Sequence, residues 1–210
     1  MEKERKLTEA ENRRKERFDA ISDKLVDEGF IRQDLIIDVV RANIGALVVM
    51  LPFMIVMGVL YYIVNMNKSI SCSFSLSSYM MFLGLFLFLI IAHELIHGFT
   101  WSRFTPNHMK DIEFGVIWSA VTPYCTCGQP LKKGQFLLGA AMPTLILGFG
   151  LGIVSIVTGQ FMMFLLAEAL ILGGGGDFLI IIKLLRFNSD RKEQLYYDHP
   201  YECGLVVFER

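Results

Sequence analysis

Phe86-Leu87-Phe88-Leu89-Ile90-Ile91-Ala92-His93-Glu94-Leu95-Ile96-His97 is the stretch that decides how this chain reads. An unbroken apolar run leads into two imidazoles and a carboxylate. On a helix, histidines four apart are turned only about 40° from each other, so both can reach one metal ion. The glutamate between them points beside that ion, where it can take a proton from an activated water. An acid near the middle of a membrane span costs about 2.5–3.5 kcal/mol on insertion scales, so its presence asks for a chemical reason.

The surrounding composition is that of a membrane protein. Of 210 residues, 53% are hydrophobic, and the mean hydropathy is +0.47. No charge occurs in residues 42–67, 69–92 or 134–167. Each block reaches the roughly 20 residues that a spanning helix needs. The expected fold is an all-α membrane protein, a bundle of four transmembrane helices. The spans fall at residues 42–65, 79–101, 134–157 and 161–185, with a kink expected at Pro52. A short, β-prone loop separates the second and third spans, centred on residues 112–121 and punctuated by Pro123 and Gly128-Gln129-Pro130.

Three parts follow: a charged N-terminal segment, 1–40; a four-span membrane domain, 41–186; and a tail, 187–210. Residues 1–41 hold ten Lys/Arg and eleven Asp/Glu. Phe18, Ile21 and Leu25 recur there at helical spacing, which predicts an amphipathic helix ending near Gly29. Residues 30–37 read either as a short strand or as the lead-in to the first span. The first residues are too acidic for a cleaved signal peptide. The net charge of −1 says nothing about partners, and with no basic run to suggest one no nucleic-acid partner is expected. Basic residues crowd the N-terminal segment, the loop 103–133 and the tail, whereas the other loops carry only Lys68. That bias puts both termini and the loop 103–133 in the cytoplasm.

A two-histidine helix needs a third protein ligand, with one position left open. Asp177, after Gly173-Gly174-Gly175-Gly176, is the candidate. Counted from Arg103 and Arg186, the groups His97, His93 and Asp177 lie six, ten and nine residues inside their spans. All three therefore fall in one layer, roughly 9–15 Å below the boundary. The glycines permit close helix approach or local unwinding. Glu168 lies about 180° around the helix from Asp177 and reads as packing or a proton relay. His108 and His199 are surface histidines or hydrogen-bond donors over the site. Cys72, Cys125, Cys127 and Cys203 form no zinc-ribbon spacing and read as reduced, packed thiols, with a Cys125/Cys127 contribution to a metal site as the alternative.

With these strings stand Glu113-Phe114-Gly115, Thr122-Pro123-Tyr124-Cys125, Pro130-Leu131-Lys132-Lys133-Gly134-Gln135, Met142-Pro143 and Asp198-His199-Pro200. Together they resemble the putative zincin peptidases, small multi-pass membrane proteins, mostly bacterial, classed as a domain of unknown function. The likeness runs over roughly residues 30–205. More distantly, the layout is similar to site-2 proteases, which pair such a helix with an aspartate on a later span, although in a Leu-Asp-Gly setting rather than Gly176-Asp177-Phe178. The resemblance implies zinc bound by His93, His97 and Asp177, Glu94 as general base, and a bacterial cytoplasmic membrane. The expected function is an intramembrane zinc metalloprotease acting on a membrane-protein or peptide substrate. A non-catalytic membrane scaffold that keeps a metal site, or a zinc hydrolase acting on a non-peptide bond, fits the same residues.

Overall fold

The computed structural model describes residues 7–68, 75–117 and 122–210. Cys72 and residues 118–121 of the β-prone stretch lie outside them. The protein is mostly helical. Among the described residues three helices are long and apolar enough to cross a membrane, at Val40–Asn65, Leu76–Ser102 and Lys133–Thr158. A bent pair, Phe161–Gly173 and Gly175–Arg186, makes a fourth if counted as one span.

Helix α1 (Glu9–Asp27) starts at a capping box, in which Thr8 accepts from the Glu11 amide and Glu11 accepts from the Thr8 amide. It ends before Gly29, whose φ of +91° suits only a residue without Cβ. Strand β1 (Ile31–Ile36) follows, which resolves the ambiguous segment 30–37 as a strand. Helix α2 (Val39–Asn65) runs through Pro52 as one element. Helix α3 (Leu76–Ser102) carries the two histidines. Strands β2 (Ile112–Ile117) and β3 (Thr122–Cys127) form an antiparallel hairpin where the β-prone loop was expected.

The third of these long apolar stretches is compound. Helix α4 (Lys133–Pro143) widens into a π-helical segment, Thr144–Gly150, and continues as α5 (Leu151–Thr158). Pro143 lacks an N–H and relieves the regular ladder near that junction. Helices α6 (Phe161–Gly173) and α7 (Gly175–Arg186) meet at Gly174 with a 42° bend. The glycine run therefore breaks the span. Gly174 and Gly175 also let neighbours close in: a Cβ on Gly174 would lie 1.9 Å from Thr144 Oγ1, and one on Gly175 would lie 2.7 Å from the Ala46 Cβ.

An all-α assignment is too narrow, because the two flanks of the bundle pair with each other. Strands β4 (Gln194–Asp198) and β5 (Gly204–Glu209) join β1 in an antiparallel sheet of order β1-β5-β4. Leu205 and Val207 of β5 enter a core with Trp101, Phe136 and Leu184 at one end of the bundle. Val206 and Phe208 face the other way, into a core with Phe18 and Leu25 of α1. The sheet is thus sandwiched between α1 and the helices, on the same side of the bundle as the hairpin.

Candidate metal centre

His93 and His97 sit one turn apart on α3, with ring centroids 4.9 Å apart. His97 is held on two sides. Its Nδ1 lies 2.8 Å from the Gly139 carbonyl oxygen of α4, and its ring stacks on Trp101 at 5.0 Å. Trp101 in turn donates its indole N–H to the Phe136 carbonyl at 3.2 Å. A carbonyl only accepts, so Nδ1 carries the proton and a neutral His97 presents a bare Nε2 lone pair.

Asp177 comes from the first turn of α7, where the exposed amides of a helix start favour a carboxylate. The break at Gly174 aims that helix start at α3. Asp177 Oδ2 lies 3.2 Å from His93 Nε2 and 3.4 Å from His97 Nε2, and the two Nε2 atoms are 3.2 Å apart. Among the described residues these three form the group of His, Cys, Asp and Glu side chains whose ligand atoms converge. Zinc bonds of about 2.0–2.1 Å at tetrahedral angles require donor atoms about 3.3 Å apart. The observed triangle has that edge length, and its donor set of two imidazoles and a carboxylate is one that suits zinc. The residues present therefore fit the ion.

Glu94 stands next to this triangle, half-buried. Lys183 of α7 donates to the Ile36 carbonyl. The backbone amide of Cys125 faces the Glu94 carboxylate. The register of the hairpin explains that orientation. Gly128 donates to the Asp111 carbonyl, so along β3 the amides of Thr126, Tyr124 and Thr122 turn towards β2, while those of Cys127 and Cys125 turn outward. Pro123, the next outward position, has no N–H. On that outward edge the Cys127 N–H donates to Asp198 Oδ2 at 3.1 Å, and the Cys125 N–H lies on the side of Glu94.

A cavity of about 370 Å³ brings these groups together, with His93, Glu94, His97 and Asp177 on one side and β3, Asp198 and His199 on the other. A second cavity of about 250 Å³ opens between α3 and α6 and is lined by Phe86, Ile90, Ala169 and Leu170. The two share His93, Glu94, Thr122, Pro123 and Gly173.

Asp198 is the site residue that sequence reasoning missed. It was visible only as the acid of Tyr197-Asp198-His199-Pro200. Burial raises its carboxyl from 3.8 to about 6, against the pull of the Cys127 amide. His199 is buried, and its Nδ1 accepts from the Glu202 amide at 2.9 Å, which makes it a turn-holding residue in the cavity wall. His108 lies elsewhere, with its Nδ1 3.0 Å from the Ser102 carbonyl at the end of α3. Glu168 is outside the converging group, and its Oε1 is buried without a hydrogen-bond partner. Cys125, Cys127 and Cys203 are unpaired thiols, and burial pushes Cys127 up to about 12.

The family described as putative zincin peptidase matches residues 86–191, half of the chain. The chain belongs to that family. Membership in the putative zincin peptidases points to metalloprotease-like chemistry and to zinc, in keeping with the three converging ligand atoms. The segment shared with the putative zincin peptidases takes in both histidines, Glu94, the hairpin and Asp177, and stops short of β4. No curated protein and no solved structure matches the chain.

Proposed function

We propose that this protein is an intramembrane zinc metalloprotease that hydrolyses peptide bonds in the cytoplasmic half of the bilayer. The triangle of His93 Nε2, His97 Nε2 and Asp177 Oδ2, with Glu94 beside it, carries this reading. These three atoms would hold the ion, which when bound supplies Lewis acidity, polarising a carbonyl and making water acidic near neutral pH. Glu94 accepts the proton of the attacking water and later returns it to the leaving amine. His97 keeps its tautomer through Gly139. The outward edge of β3 offers carbonyls, since Pro123 has no N–H and the Cys127 amide is held by Asp198. An extended peptide lying along it would therefore donate its own N–H groups there.

The two connected cavities support a membrane substrate. One opens between α3 and α6, the side that would face lipid in this reading, and the other lies under the hairpin and sheet. The basic residues of the flanks and of the loop 103–133 favour the cytoplasm for that side, with both termini there.

The test compares wild type with Glu94→Gln, His93→Ala and Asp177→Ala. Metal is read by elemental analysis of purified protein. Turnover is read as new protein N-termini in the membranes of expressing cells. The expected result is zinc retained by Glu94→Gln with turnover down about 10²–10⁴-fold, and zinc lost from the other two. New N-termini that are equal for wild type and Glu94→Gln would overturn the proposal and leave a metal-binding scaffold. A wild-type protein that retains zinc, cuts no peptide and still turns over an ester or other non-peptide bond would overturn the peptide-bond assignment.

A further inference from the structure

Strand β3 is held at its far end by β4. Asp198, the last residue of β4, accepts the Cys127 N–H at 3.1 Å. Four residues further along the chain, Leu131 and Tyr196 exchange both backbone hydrogen bonds at 2.8 Å each. These contacts bracket the turn after β3 and fix it to a strand whose own partner, β5, is buried on both faces. Two residues before Cys127, about 6.6 Å along an extended chain, the register turns the Cys125 amide outward into the cavity that Glu94 also lines. Pro123 then ends the row of outward donors. Asp198 lies in the cavity wall and outside the converging ligand group, and its carboxylate is engaged by the Cys127 amide.

We infer that Asp198 is a positioning residue for Glu94: anchored in the C-terminal sheet, it fixes β3 through the Cys127 amide and so holds the Cys125 amide against the general base. The inference rests on the proposed role of Glu94, and it makes the C-terminal sheet, beyond the family-matched segment, part of the catalytic apparatus. A strand is stiff over two residues, so loosening one outward amide loosens the next.

The test uses the full chain labelled with nitrogen-15 only at its four cysteines, in detergent micelles, with each resonance assigned by single Cys→Ser changes. Asp198→Ala should speed amide exchange at both Cys127 and Cys125 about 10-fold or more, whereas Asp198→Asn, which keeps an acceptor oxygen, should stay within about 3-fold of wild type. Should Asp198→Ala fail to fold, the coupling is read from the other end, because linkage is reciprocal. Glu94→Ala should then speed exchange at Cys127 as well as at Cys125. Faster exchange confined to the amide nearest the mutation would overturn the inference. In parallel, Asp198→Ala should lower turnover about 10-fold with zinc content unchanged, as a displaced base would, and Asp198→Asn should restore it. Exchange needs no turnover, so its outcome is independent of whether Glu94→Gln remains active.

Discussion

His97 donates its Nδ1–H to the carbonyl oxygen of Gly139 at 2.8 Å, across the interface between α3 and α4. That bond links the position of α4 to the direction of a ligand lone pair. Gly139 is small because Trp101 occupies its Cβ position: a Cβ there would lie 1.9 Å from the indole Nε1. The same Trp101 stacks on His97, so both supports of the ligand meet at one glycine.

Gly139→Ala should therefore push Trp101 aside and tilt His97, although neither group is itself replaced. Loss of an outer support of a metal ligand costs about 10–100-fold in affinity. We expect the zinc dissociation constant to rise by that factor, measured by competition with a chromophoric chelator. An unchanged constant would mean that α4 does not orient His97.

Metal binding should also appear as stability. An ion that binds only the folded state at 100 times its dissociation constant adds about 2.7 kcal/mol. Denaturation in mixed micelles should show that gain on adding zinc to chelator-stripped wild type. His93→Ala and Asp177→Ala should show none of it, because each removes one corner of the triangle. An equal gain in all three proteins would locate the ion elsewhere.

Gly173 borders both cavities, and a Cβ there would meet nothing within 4 Å. Gly173→Leu should thus meet no clash at its Cβ and gain up to about 1 kcal/mol in helix propensity. Its side chain would project into the region where the two cavities meet. Turnover of a membrane-embedded substrate should fall about 10-fold or more, as a pose displaced by about 1 Å already costs about 10²-fold, with zinc and stability retained. Wild-type turnover in this variant would exclude a route between α3 and α6.

Some of this geometry was legible in the residues and some was not. The spacing of His93 and His97 fixes their common face, and counting inward from Arg103 and Arg186 brings Asp177 to the same depth. The glycine run left close approach and unwinding both open, and the structure shows both: the break at Gly174 and the tight contacts of Gly174 and Gly175. The sheet was hidden for a physical reason. β5 is buried on both faces, between α1 and the bundle, so Leu205-Val206-Val207-Phe208 shows no alternation to mark a strand. Its partner β1 is distant in sequence and largely exposed, with Arg32 and Asp34 paired to each other at the surface. Asp198 inherited that obscurity, because its role depends on a pairing that no local pattern reveals.

Asp198 also gives a pH signature. Burial raises its carboxyl from 3.8 to about 6 in the folded chain. Between those values the folded state holds more protons than the unfolded state, so this group makes stability fall as pH rises from about 4 to about 6, and adds no slope above. Asp198→Asn removes the titration while keeping an acceptor for Cys127. In chelator-treated protein, the stability of Asp198→Asn relative to wild type should therefore increase from pH 4 to pH 6 and then level off, read by denaturation in mixed micelles at each pH. A relative stability that increases on acidification instead would mean that the folded protein favours the charged carboxylate, the opposite of what its burial requires.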